Sequence, residues 1–178
     1  NNDSSLTSSF KINRDMDENT NFNGSFKRYE NLSEKDNDRY QYIFPDFNFY
    51  KNIEIDKNYK GTFKFMSSGF QKNYDTNVYE AIINNDFLYE SFDLISKKGL
   101  LSNYNILLKN VNSYSENSST YNKNNENDIY GTFLFKTSYP LKKQNKNSIN
   151  YLKPILSARY SPNGNDSISD KNTSLNID

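Results

Sequence analysis

The sequence predicts an all-β chain: an antiparallel up-and-down meander of about seven or eight long strands, read as an open part of a larger membrane barrel. Three observations predict it. Rings alternate with polar groups at period two through most of the chain, which sorts them onto opposite faces of extended segments. The alternating runs are long, commonly nine or more residues, whereas strands of soluble proteins centre on about five or six and strands crossing an outer membrane need about 9 to 11. Apolar surface is carried by rings, with 15 Tyr and 13 Phe in 178 residues, and only 34% of the chain is hydrophobic. That is a coating for a sheet rather than the filling of a packed core.

Taken in order, residues 1 to 20 are polar and poorly defined, with Phe10 and Ile12 marking at most a short strand. Phe22 to Tyr29 reads as a strand, closed by a charged turn at Ser33 to Asp38. In the aromatic run from Arg39 to Phe49 the phase changes: Tyr40, Tyr42 and Phe44 share one parity, Phe47 and Phe49 the other. Pro45 sits at the changeover and cannot donate to a ladder, so a β-bulge or interrupted pairing is expected there. Tyr59 to Ser67 alternates cleanly, and a turn is expected near Gln71 to Asp75. Next, Tyr79, Ala81, Ile83, Phe87 and Tyr89 oppose Glu80, Asn84, Asp86 and Glu90. Ser96 to Gly99 reads as a tight turn in which Gly99 can adopt a left-handed conformation. Leu100, Tyr104, Ile106 and Leu108 then oppose Asn103, Asn105 and Lys109, and Asn112 to Asp128 reads as a long loop. The segment from Tyr130 to Asn163 reads as a hairpin. Phe133 and Phe135 alternate with Leu134 and Lys136, then Leu156, Ala158 and Tyr160 alternate with Ser157 and Arg159, across a polar turn at Lys142 to Asn150. Residues 161 to 178 read as a loop. No dozen-residue segment has helical spacing.

Charge and composition exclude several function classes. There are 22 basic and 22 acidic residues, no histidine and no cysteine. No overall field points to nucleic acid, and the lysines read as scattered. Common zinc sites, Ser-His-Asp triads and Cys-His dyads are impossible, and no carboxylate pair is forced together, so neither an enzyme nor a cofactor is expected. Asn163 to Asp170 is rich in oxygen ligands but lacks EF-hand spacing. The chain starts at Asn1 without a charged-then-apolar leader and stops without a closing element, so it is expected to be one internal segment, without signal peptide or transmembrane helix. The high Asn content has a simple source in A- and T-rich codons, which explains composition but not alternation.

The alternation assigns residues to faces. Lys60, Lys64, Glu80, Lys109, Lys136, Lys153 and Arg159 fall on the polar side, expected to line a lumen. Phe63, Phe65, Tyr104, Phe133, Phe135, Leu156 and Tyr160 fall on the ring side, expected to meet lipid. If turns alternate between ends, the loops at Ser33 to Asp38, at Asn112 to Asp128 and after Ser161 share one end, while Ser96 to Gly99 and Lys142 to Asn150 share the other. Long loops at one end and short turns at the other fit an outer-membrane barrel, with the short turn near Gln71 to Asp75 falling on the long-loop side. A mean hydropathy of −0.99 is compatible with this, because alternate residues of a barrel face water.

The hairpin residues also resemble a known family. Ser138-Tyr139-Pro140-Leu141, the spacer, Leu152-Lys153-Pro154-Ile155, then Ala158-Arg159-Tyr160-Ser161-Pro162-Asn163 and the later Asp170 and Asp178 resemble the barrel domain of the lipopolysaccharide-assembly family called LptD (OstA or Imp). Lys153 stands where that family often has an acid. Asp38-Arg39-Tyr40 with Pro45 resembles an earlier strand of the same barrel, and the Asn-rich composition is similar to α-proteobacterial versions of the Pelagibacter type. The resemblance implies a middle part of that barrel, in the outer membrane of a Gram-negative bacterium. It implies lipopolysaccharide as cargo, the lipoprotein LptE as plug, and the periplasmic LptA bridge as a partner of a domain not included here. Pro45, Pro140 and Pro154 would mark bulges or strand ends more readily than a gate. Two other readings share much of the pattern: a porin or nutrient receptor, and a soluble surface β-repeat protein.

Overall fold

The structure, a computed structural model, describes residues 5–34, 39–74, 77–121 and 123–162. One antiparallel meander runs through it: β1 (Ser5–Asp17), β2 (Thr20–Asn31), β3 (Tyr40–Ile53), β4 (Gly61–Tyr74), β5 (Val78–Ser91), β6 (Leu94–Ile95), β7 (Leu101–Glu116), β8 (Glu126–Ser138), β9 (Leu141–Gln144), β10 (Ile149–Leu152) and β11 (Ile155–Tyr160). The main sheet has the order β1-β2-β3-β4-β5-β7-β8-β11, with β6 attached to β7, and it is not closed. A separate two-stranded ribbon is made of β9 and β10. The predicted all-β meander is therefore present, with strands of 12 to 16 residues from β1 through β8 apart from the short β6. Lys57–Tyr59 forms a 3-10 turn between β3 and β4.

Several boundaries differ from the sequence reading, each for a local reason. The first segment is a full 13-residue strand, because Phe10 and Ile12 register with Phe26 and Gly24 and the polar residues between them pair as well. The turn expected from Gln71 is instead strand to Tyr74, since Gln71 and Asn73 pair with Ala81 and Tyr79; Asp75 lies outside the described residues, as do residues 35–38 of the charged turn. The loop expected from Asn112 begins only after Glu116, because asparagines continue the ladder: Asn112 pairs with Asn127 and Asn110 with Ile129. The Asn-rich segment at 163–170 is outside the described residues.

Two expectations about special backbone hold. β3 shifts register between Ile43 and Asp46 against β4, and the same two residues of β3 face Lys27 and Ser25 of β2 across a matching shift, so a bulge at Pro45 lets both parities of β3 place their rings on one face. Phe44 meets Phe26 at 5.9 Å there, while Phe49 meets Phe65 at 6.0 Å further along. Gly99 has φ +83, and its N–H donates to the Ser96 carbonyl at 2.9 Å, closing the β6–β7 turn.

Loop lengths do not follow the expected asymmetry. The connection from β8 to β11 is the β9–β10 ribbon, not a short turn, and it leaves the same end as the β1–β2 and β6–β7 turns. Pro140 and Pro154 sit at its base, opposite one another in the chain, where Tyr139 N–H donates to the Pro154 carbonyl at 3.2 Å. Neither proline can donate, so the ladder breaks there and the ribbon separates from the main sheet.

Candidate functional site

The two faces of the main sheet are chemically different, and the charged one is the more buried. On it, cross-strand neighbours neutralise one another. Lys109, 3% exposed, donates from Nζ to both carboxylate oxygens of Asp86 at 2.6 Å. Lys64 pairs with Glu90 and Lys27 with Asp46, and Lys72 Nζ lies 3.9 Å from Glu80. Buried aliphatic side chains fill the spaces between: Ile82, Leu107, Val111 and Leu134 are all 6% exposed or less. Alternation alone labelled this face polar and so missed its apolar filling. The signal was in the sequence, in the short aliphatic residues lying in phase with the carboxylates and lysines.

The β7–β8 loop folds over this face. Ser118 Oγ donates to Glu80 Oε1 at 2.7 Å, beside Tyr74 OH, which donates to the same oxygen at 2.8 Å. Ser115 Oγ donates to the Tyr121 carbonyl at 3.0 Å, and Asn117 Nδ2 to the Asn77 carbonyl at 2.9 Å. Thr120 and Tyr121 of this loop, with Lys27, Gln41, Asp46, Phe70, Lys72, Tyr74 and Glu80, line an open cavity of about 570 Å³. Its walls thus come from four neighbouring strands and the loop bridging them. Each of the cavity's four charged groups already has a counter-ion, which suits an uncharged or zwitterionic occupant better than a bare ion.

Register places most of the predicted site residues on one or other face of the sheet. Lys64, Glu80, Lys109, Lys136 and Arg159 lie on the charged face. Lys60 and Lys153 do not: Lys60, with φ 46, precedes β4, and Lys153 occupies the break between β10 and β11. Neither belongs to a strand, so period-two counting does not apply to them. The ring-side residues Phe63, Phe133 and Tyr160 share one cross-strand row, running Ile53, Phe63, Tyr89, Ile106, Phe133, Tyr160. Tyr104 faces Phe135, Leu156 faces Thr137, and Phe65 packs against Phe87 at 4.8 Å.

The rings form a belt that slants across the strands. The row through Phe47 passes Gly69 and Ile83 and ends on Asn112 and Asn127, whereas the row through Ile53 stays apolar to the far edge. On β2 and β3 the belt is centred level with Ile83; by β11 it is centred on Ala158, level with Tyr104, one place beyond the Glu90–Asn105 pair. On β7 and β8 the positions beyond the belt hold a ring of amides. Asn110 donates to Asn127 at 3.2 Å, Asn127 to Asn112 at 2.5 Å, and Asn112 back to Asn110 at 2.6 Å. Asn85 joins at 3.4 Å and accepts from Ser67 at 2.8 Å. Tyrosines gather at that end too, where Tyr40, Tyr42, Tyr79 and Tyr114 line a cleft of about 620 Å³.

The rings are not covered by a second layer: Phe133, Ile106, Leu108 and Tyr160 are 39%, 44%, 47% and 67% exposed. Among the described residues no group of His, Cys, Asp and Glu could hold a metal, and no helix is long and apolar enough to cross a membrane. Comparison with protein families and with characterised proteins finds no match to this chain.

Proposed function

We propose that this chain forms part of the wall of an outer-membrane β-barrel, with the ring belt against lipid and the paired charges against a lumen. The observation that carries the reading is the slant of the belt. It advances roughly eight residues in six strand-to-strand steps; with about 3.3 Å of rise per residue and about 4.8 Å between strands, a level belt requires strands tilted by about 40°. Outer-membrane barrels tilt their strands by about 35–45°. The amide ring and the tyrosine cleft then lie at headgroup level, which accounts for asparagines on β7 occupying the row that phenylalanines occupy on β3. Internally paired charges suit a lumen wall that takes no part in bond making, so the role is structural and not enzymatic.

Within that class, the Pro-containing hairpin from Ser138 to Asn163 favours the lipopolysaccharide-assembly barrel, with lipopolysaccharide as cargo and LptE as plug. A decisive test places one tryptophan in this Trp-free chain, at Phe133, and refolds it into vesicles of brominated lipid. Strong quenching is expected. Emission of a water-exposed indole, with the chain monodisperse and folded without detergent, would overturn the wall reading. Co-purification of the folded barrel with LptE tests the narrower assignment, and failure to bind would return the choice to a porin or receptor.

A further inference from the structure

We propose that the β9–β10 ribbon is a docking element for an anionic lipid surface. From Ile129 to Asn165 the sequence contains no Asp or Glu, yet it holds Lys136, Lys142, Lys143, Lys146, Lys153 and Arg159, in a chain that is neutral overall. On the main sheet Lys27, Lys64, Lys72 and Lys109 each meet a carboxylate; among the described residues, no ion pair includes Lys142, Lys143, Lys146 or Lys153. The ribbon is exposed along its whole length.

Its apolar residues are the second observation. Leu141 faces Leu152, and Lys142 faces Tyr151, with the ammonium 5.9 Å from the ring. Ile149, Leu152 and Tyr151 are 50%, 64% and 73% exposed. A lone two-stranded ribbon is marginally stable in water, and this one presents aliphatic and aromatic groups on both sides with nothing of the main sheet over them. Cations mixed with apolar side chains and free of carboxylates match a phosphate-bearing headgroup layer, where ammonium groups meet phosphates while Leu, Ile and Tyr reach the acyl boundary. The ribbon also starts just past the Ser138–Ile155 pair, a few residues beyond Phe135 and Ala158, on which the belt is centred at this edge. That placement rests on the wall reading above; the charge and exposure do not.

Because the chain has no Trp, Tyr151→Trp reports the ribbon alone and Phe133→Trp reports the belt alone. Each refolded full-length variant is mixed with vesicles of phosphatidylcholine, or of phosphatidylcholine with phosphatidylglycerol. The Tyr151→Trp emission is expected to shift blue only with phosphatidylglycerol and to revert in high salt. Adding Lys142→Ser, Lys143→Ser and Lys146→Ser is expected to weaken that response by roughly a hundred-fold. An equal shift on neutral vesicles, an unchanged response in the triple variant, or the same shift with polyphosphate and no vesicles would overturn the proposal. A ribbon response without any Phe133→Trp shift would instead sink the wall and leave the ribbon standing.

Discussion

The central strands β5 and β7 and the hairpin arm from β8 to β11 are built from the same residue types, yet they treat charge and apolar surface in opposite ways. In the centre, Lys109 is buried and held by both oxygens of Asp86, and Ile82 and Val111 are 1% and 0% exposed. In the arm, Lys142 and Lys143 are exposed without a carboxylate, and Leu152 is 64% exposed. Register makes the difference. A strand flanked on both sides buries alternate residues laterally even in a single sheet, whereas a ribbon broken off by two prolines has one neighbour only. The centre is self-sufficient; the arm is complete only against something else.

This contrast can be broken or sharpened by experiment. The largest effect is expected from Asp86→Ala, which strands a buried ammonium and should cost about 3–5 kcal/mol, read from the denaturation midpoint in micelles. Asp86→Leu combined with Lys109→Met should recover most of that loss, and a persisting loss would show that packing, not charge, is at stake. Next comes Ile82→Ala, expected to cost about 2–5 kcal/mol through the cavity it leaves; an equal cost for Leu152→Ala would erase the distinction between centre and arm. Replacing Pro140 and Pro154 by Thr should let the ladder run on into the ribbon, raising amide protection at its base about five-fold, roughly the worth of one hydrogen bond. Hydrogen exchange measures it. The smallest effect is expected from Lys142→Ser, within about 0.5 kcal/mol and insensitive to salt when no lipid is present.

Much of the architecture was legible from period-two alternation. The meander, the side of each carboxylate on β5, the phase change at Pro45 and the Gly99 turn all follow from local rules. What alternation could not give was extent. Asn-rich segments carry no ring to mark their phase, so Asn112 and Asn127 looked like loop, although their amides bond to each other and to Asn110 across β7 and β8. The sequence reading also saw scattered lysines, because it compared totals. Pairing depends on which strand lies beside which, and only the acid-free stretch after Asp128 foreshadowed the unbalanced arm. The cavity under the β7–β8 loop joins residues some ninety positions apart, Lys27 to Tyr121, and no local pattern encodes that.

The extra residue at the Phe44 to Asp46 bulge acts as a one-residue spacer inside an otherwise strict count. Deleting Pro45 would leave either Tyr40 and Tyr42 or Phe47 and Phe49 turned toward the paired charges, so half a strand would be inside out. The chain should therefore tolerate substitutions here better than any change in length.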